Sequence, residues 1–277
     1  MRYVSLFVLL FVTSNVMAQI IEDKEPAILE VHYMKTSVAD TLENRSYTDP
    51  ITLRVGKTSA MFYPPKRMWV DSLLQTNFEL HEKLHREMNP PGQIEYKPLG
   101  GMECEYLFRN INDGETMVYR KMGGEAYSYT EPTEMPVWQI QSETKELLGY
   151  SCQLATCDFR GRTWCAWFST DIPINEGPWK LFGLPGLVLE AWDSKKHYAY
   201  KAVGLYTKNL LPVGIRLYNI SGKPYKLKSR QAYLQKMYKE YIQGDFAFKM
   251  SALHGNGSQK APYVSQYDYQ ERDYPHK

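Results

Sequence analysis

Net charge is nearly absent from this sequence: 33 Lys and Arg stand against 31 Asp and Glu, a formal +2 over 277 residues. A dedicated nucleic-acid binder gathers positive charge on one face, so the balance argues against that class. Cysteine is scarce. Its four copies, Cys104, Cys152, Cys157 and Cys165, include no Cys-x-x-Cys pair. Neither a zinc knuckle nor a thioredoxin-type redox motif is supported. Long apolar runs are missing beyond the N-terminus, and a membrane span needs ~20 such residues. Ser59, Ser151 and Ser169 lie in no Gly-x-Ser-x-Gly context, so a serine hydrolase has no anchor. No internal repeat stands out.

What the sequence does contain is core-forming and β-forming. Apolar residues make up 43%, which permits a sizeable core and excludes general disorder. Tyrosine, at 22 copies against 10 Phe and 6 Trp, favours pleated sheets. At the N-terminus Arg2 precedes a short apolar run from Val4 to Val12, then Thr13-Ser14-Asn15, then Val16-Met17-Ala18. That order predicts a secretory signal peptide over residues 1–18, cleaved after Ala18. No Cys follows the cleavage site, so a lipid anchor there is not expected.

Along the mature chain the period alternates. Ala27–Ser37, Ile51–Val55 and Ala60–Tyr63 read as strands, stopped by Pro64-Pro65. Arg67–Met88 changes to helical spacing and ends at Pro90-Pro91-Gly92. Strands return at Cys104–Asn110 and Glu115–Lys121, joined around Asn112-Asp113-Gly114, a hairpin signal. Trp138–Glu143, Cys152–Phe159, Thr163–Thr170, Leu187–Trp192 and His197–Tyr206 follow. Turn signals at such short intervals predict antiparallel pairing. Arg230–Gln243 is helical again. Residues 19–253 thus read as one β-rich domain, and 254–277, without periodicity, as a flexible tail.

The block Leu148-Gly149-Tyr150, Cys152, Phe159-Arg160-Gly161-Arg162, Trp167-Phe168, Gly177-Pro178-Trp179-Lys180 and Gly183-Leu184-Pro185-Gly186-Leu187-Val188 resembles the GLPGLI family of exported Bacteroidetes proteins. The resemblance is tight over residues 137–193 and loose elsewhere. It implies a periplasmic or outer-envelope protein of uncharacterised biochemistry, and it brings no catalytic residues. The strand order looks like the curved half-barrels of periplasmic lipoprotein-carrier proteins, so the expected fold is mainly β (α+β): a curved antiparallel sheet with one or two helices. Within the block, Gly183 and Gly186 permit positive φ or close approach, Pro185 fixes φ between them, and Leu184 and Leu187 point to a core. Arg160 and Arg162 are read as projecting from a hairpin tip, within reach of Asp158 or Asp171. With Trp179 they are the candidate binding residues, and an anion-binding loop is the functional alternative to a structural role.

His81-Glu82-Lys83-Leu84-His85 matches H-E-x-x-H. On a helix His81 and His85 share a face and could grip zinc while Glu82 activates a water. Lys83 inside the motif, and the charged neighbours Glu79, Arg86 and Glu87, favour an ordinary solvated helix. The leading expectation is therefore a non-catalytic binding protein without cofactor, taking an apolar or amphipathic ligand or an envelope protein. A zinc hydrolase at the histidine pair, or a metal-binding non-enzyme, is the alternative.

The cysteines add one register-dependent expectation. If the three residues Arg160–Arg162 close the hairpin, Phe159 faces Thr163 and Cys157 faces Cys165, at a separation a disulfide can span. Cys104–Cys152 would then remain as the second pair. A two-residue turn instead puts Cys165 opposite Thr156 or Asp158.

Overall fold

A computed structural model describes residues 19–40, 45–91, 98–122, 125–218, 224–241 and 270–274. The strands are β1 (Gln19–Glu25), β2 (Leu29–Asp40), β3 (Arg45–Val55), β4 (Ser59–Tyr63), β5 (Glu105–Asn110), β6 (Glu115–Met122), β7 (Glu125–Pro132), β8 (Gln139–Leu147), β9 (Tyr150–Phe159), β10 (Arg162–Ser169), β11 (Leu187–Asp193), β12 (Tyr198–Tyr206), β13 (Val213–Tyr218) and β14 (Tyr225–Lys226). The helices are α1 (Pro65–Thr76), α2 (Phe78–Met88) and α3 (Arg230–Tyr241).

Twelve of these strands form one open sheet in the order β14-β7-β6-β5-β4-β3-β2-β12-β11-β10-β9-β8. Every pairing in it is antiparallel except β14 with β7. β1 and β13 form a separate two-stranded ribbon. The mainly β, antiparallel architecture expected from the sequence is the one observed, and the sheet does not close into a barrel.

Register explains the core. Val31, Leu53, Phe62, Leu107, Val118 and Tyr129 stand opposite one another across six consecutive strands, so one sheet face carries a continuous apolar row. On β10 the same face holds Arg162, Trp164, Ala166 and Phe168, all buried, while Thr163, Cys165 and Trp167 face outward. The segment between β10 and β11 fills the hollow of this face with Trp179, Leu181 and Leu184, and α3 adds Tyr233, Leu234 and Met237. Full burial of one such side chain contributes about 1.5–3 kcal/mol. The other face of β4 to β7, with Met61, Tyr63, Tyr106, Phe108 and Tyr119, forms a second apolar cluster that includes Val213 of β13 and Met68 of α1.

Three expectations change. The single helix over 67–88 is two helices. Asn77, at φ −159° and ψ 75°, interrupts it, and its side chain accepts a hydrogen bond from the Leu80 amide to cap α2. α1 buries Val70, Leu73 and Leu74, whereas α2 buries nothing.

The β9–β10 turn has two residues. Phe159 pairs with Arg162, Cys157 with Trp164 and Cys165 with Thr156. Cys157 and Cys165 therefore lie on opposite faces of the sheet, and all four cysteines are free thiols. The expected bridge fails because opposed residues share a face and neighbours on a strand do not.

Residues 270–274 are not a loose tail: Glu271 is 7% exposed and held by side chains of the core. Residues 1–18, 254–269 and 275–277, on which the signal peptide and the rest of the expected tail fall, lie outside the described residues. No helix among the described residues is long and apolar enough to cross a membrane.

Candidate binding site

The β9–β10 turn anchors one end of the site. Arg160 at φ +52° and Gly161 at φ +74° give the two consecutive positive φ values of a type I′ hairpin turn. That geometry folds the arginine back over the sheet. The Arg160 side chain is 7% exposed and lies 3.2 Å from Glu131, 3.1 Å from Glu134 and 3.8 Å from Asp273, over the ring of Phe159. Arg162 points into the hollow, 2.8 Å from buried Asp193, and its Nε donates to the Gln270 carbonyl at 3.0 Å.

Neither arginine projects from the tip as the sequence suggested, nor do the expected partners serve. Asp158 accepts from Thr163, and Asp171 from the Ser151 amide. Trp179 is a core residue: its ring packs 5.6 Å from Trp164 and 6.2 Å from Phe159, centroid to centroid.

The glycine-rich motif positions the floor. Leu181, Gly183, Leu187 and Val188 donate their amides to the carbonyls of Pro178, Asn175, Ile172 and Glu176, so residues 172–188 form a self-bonded loop. Gly183 takes φ +92°, whereas Gly186 is needed for space: a Cβ there would meet the Ser169 carbonyl oxygen at 2.0 Å. Leu184 and Leu187 are buried as expected, and Pro185 is exposed. The loop drives Trp179 and Lys180 into the hollow side by side.

Around Lys180 the charged groups converge. Its Nζ is 2.6 Å from Glu131 of β7 and 2.6 Å from Glu271, and it donates to the Tyr129 hydroxyl at 3.3 Å. Arg230 at the start of α3 donates to Glu271 at 2.5 Å and forks onto both oxygens of Asp273 at 2.8 and 2.7 Å. The network continues along the hollow. Gln270 donates to the Tyr200 hydroxyl at 2.6 Å and accepts from Lys35 at 3.1 Å. Lys35 pairs with Glu103, Arg120 stands 3.6 Å from both Glu103 and Glu105, and Tyr233 donates to Glu105 at 2.5 Å.

Protonation follows from this pairing. Burial alone would raise the Glu103 carboxyl, but Lys35 and Arg120 outweigh it and hold the pKa at about 2. Burial opposes charge on Glu271 too, and Lys180 and Arg230 reverse that and lower it. Lys180 is raised, because Glu271 and Glu131 overcome its desolvation. Glu103, Glu271 and Lys180 are thus held in their charged forms by their partners. Such an arrangement holds and orients charged groups.

The H-E-x-x-H pair lies elsewhere. The His81 and His85 rings stack on α2 with centroids 6.4 Å apart and planes 15° from parallel. Among the described residues no group of three or more His, Cys, Asp or Glu is placed to hold a metal ion.

Sequence reasoning placed Arg160 and Arg162 near the site but missed Glu131, Arg230, Glu271 and Asp273 as members. Only the alternation of Glu131 with Tyr129 and Tyr127 along β7 could have marked it as inward-facing.

A family model described as "Protein of unknown function (Porph_ging)" matches residues 160–190, which span the β9–β10 turn, β10 and the glycine-rich loop. This is an uncharacterised, Bacteroidetes-associated family. No curated protein matches. Two solved structures of PNGF-II, in space groups P21 and C2, are similar with TM-scores of 0.47 and 0.46 at 14% identity, covering 76% and 75% of this chain. The similar region spans about a third of the length of those chains, 33% and 32%.

Proposed function

We propose that this chain is an exported, non-catalytic protein of the bacterial envelope, of GLPGLI type, that binds a partner protein at the polar end of its concave sheet face. Support for export comes from Arg2, the Val4–Val12 run and the Val16-Met17-Ala18 ending. Support for the family comes from Gly183 to Val188, inside the stretch that the family model matches.

One observation carries the choice of partner. The hollow is already filled: Trp164, Leu181 and Leu184 are fully buried there. The cavity lined by Leu53, Phe62, Leu107, Arg109 and Trp179 measures about 10 Å³, room for a single water. A cleft of about 250 Å³ beside Leu147, Leu148 and Leu189 is rimmed by Glu146 and Lys201. It falls below the ~300–1,000 Å³ of ordinary ligand pockets. Neither of these two cavities gives an apolar ligand much room, whereas the charged groups around Lys180 and Arg230 already grip a peptide segment.

Envelope fractionation with N-terminal sequencing tests export, with Gln19 as the expected first residue. A cytoplasmic chain starting at Met1 overturns it. Native mass spectrometry of the envelope-isolated protein tests the binding class. A complex with a second protein is expected, and a lipid adduct on the mature chain overturns the partner reading.

A further inference from the structure

We infer that the cleft between the β9–β10 turn and α3, floored by Lys180, is a recognition site for acidic peptide of the pattern Glu-x-Asp, which the chain fills with its own Glu271-Arg272-Asp273. The inference rests on the partner-protein reading above and names the chemistry of the partner.

The contacts are those of peptide recognition. Arg162 Nε donates to the Gln270 carbonyl at 3.0 Å, and the Arg272 amide donates to the Arg160 carbonyl at 2.8 Å. The segment's main chain is thus read at two successive places along the turn. Between them Glu271 drops its carboxylate onto Lys180 and Arg230, and two residues on Asp273 meets the planar fork of Arg230. Bidentate arginine–carboxylate pairing gives geometric selectivity as well as strength. Gly161 completes the fit, since a Cβ there would lie 2.6 Å from the Asp273 amide nitrogen and 2.7 Å from the Arg272 carbonyl carbon.

The charge of the cleft points the same way. Without the segment, Lys180, Arg160 and Arg230 share Glu131, 3.6 Å or less from each, and Arg160 also meets the exposed Glu134. Arg160 Nε is buried with no hydrogen-bond acceptor among the described residues. A buried cation left short of carboxylates is costly, so an emptied cleft favours another anion in the same place. The segment is held chiefly by charge-assisted and main-chain hydrogen bonds, which an equivalent acidic peptide reproduces. Tethering gives the chain's own segment an effective concentration on the order of millimolar, so in the parent it competes strongly.

Fluorescence anisotropy with a labelled peptide of residues 268–276, added to the full mature chain and to its D273N variant, tests the proposal. D273N removes charge from the chain's own segment at a part-exposed side chain. The peptide is expected to bind D273N about tenfold tighter than the parent. Adding R230A is expected to erase that gain. The peptide carrying Gln in place of Glu271 and Asn in place of Asp273 is expected not to bind. Equal affinity for parent and D273N, or equal binding of the doubly substituted peptide, overturns the inference. A second measurement needs no variant. Excess acidic peptide should accelerate hydrogen exchange of the Arg272 amide in the parent, and unchanged exchange overturns the inference as well. A native complex with a protein but no peptide binding defeats this inference alone. Peptide binding without any native protein complex defeats the wider reading.

Discussion

Lys180 Nζ stands 2.6 Å from a carboxylate oxygen of Glu271, a residue 91 positions later in the chain. The pair joins the loop between β10 and β11 to the last described segment. It also sets the terms on which that segment is held, because both groups are buried. Removing one partner of a buried pair typically costs about 3–5 kcal/mol, through the charge left behind.

Acid should unfold this protein through its paired carboxylates. Glu103 is held at about 2, below the ordinary 4.5, and Glu271 and Asp273 are lowered too. A carboxylate with a depressed folded pKa adds stability above its unfolded pKa and loses it as pH falls through the folded value. For Glu103 the loss falls between about 4.5 and 2. Glu176 and Asp49, raised mainly by burial, act in the opposite sense, since their stabilisation grows as they protonate. Glu103→Gln is expected to lower stability at pH 7 by about 3–5 kcal/mol, because Lys35 then lies buried without its carboxylate. The gap between parent and variant should narrow on titration from pH 5 to 2. Urea unfolding across that range measures it, and a gap independent of pH would contradict the ionised pair.

The thiols should differ in reactivity. Burial pushes Cys157 up to about 12, with Asp158 and Cys165 adding to it. Cys165, on the outer face, is partly exposed. Thiolate supply and access both govern alkylation. Timed labelling of the native protein is expected to modify Cys165 well before Cys157, and labelling after denaturation to modify both. Recovery of a Cys157–Cys165 disulfide peptide would mean that the hairpin register is wrong by one residue.

The two motif glycines should not tolerate alanine equally. At Gly186 the added Cβ would meet the Ser169 carbonyl oxygen and carbon at 2.0 and 2.6 Å, atoms of the neighbouring backbone. At Gly183 it would meet the Met135 side chain, which can move, though φ +92° strains any L-residue. Gly186→Ala is expected to lose more stability than Gly183→Ala. Strain of this kind is worth about 1–3 kcal/mol per position. Thermal melts of the two variants decide the order, and the reverse order would place the motif's constraint in φ instead of in close packing.

The strands legible in the sequence are those whose apolar alternation is strong and whose turns carry familiar residues. Asn112-Asp113-Gly114 marked the β5–β6 hairpin, and Leu187–Trp192 with His197–Tyr206 marked β11 and β12. β7 escaped because Glu125, Ser128 and Glu131 dilute its pattern, yet Glu131 faces inward to pair with Lys180. The start of β3 escaped because Pro50, which has no amide hydrogen to donate, lies within it opposite Met34. The β9–β10 turn was misjudged by one residue because a type I′ turn normally begins with Asn, Asp or Gly, and here Arg160 takes that place. Its cost is offset by ion pairs that no local pattern displays. The candidate site was illegible for the same reason: its carboxylates come from β7 and from residues 270–274, far apart in the sequence, and meet at Lys180 only in the folded chain.

Gly161 and Gly149 provide a matched pair that isolates the docked segment. Both occupy the second position of two-residue hairpin turns, after Arg160 at φ +52° and Leu148 at φ +53°. Their own φ values, +74° and +81°, are nearly the same, so alanine should incur a similar left-handed penalty at each, about 1–2 kcal/mol. Their surroundings differ. Among the described residues nothing lies within 4 Å of a Cβ on Gly149, whereas one on Gly161 would press on the backbone of Arg272 and Asp273. Gly149→Ala is therefore expected to show the conformational cost alone, with hydrogen exchange at 270–274 unchanged. Gly161→Ala should lose more stability and, in addition, release the Arg272 amide to faster exchange, since that amide bonds to the carbonyl of Arg160. Equal melting temperatures and equal exchange in the two variants would show that residues 270–274 do not rest on the turn. The excess loss in Gly161→Ala, if found, measures how tightly the turn grips that segment.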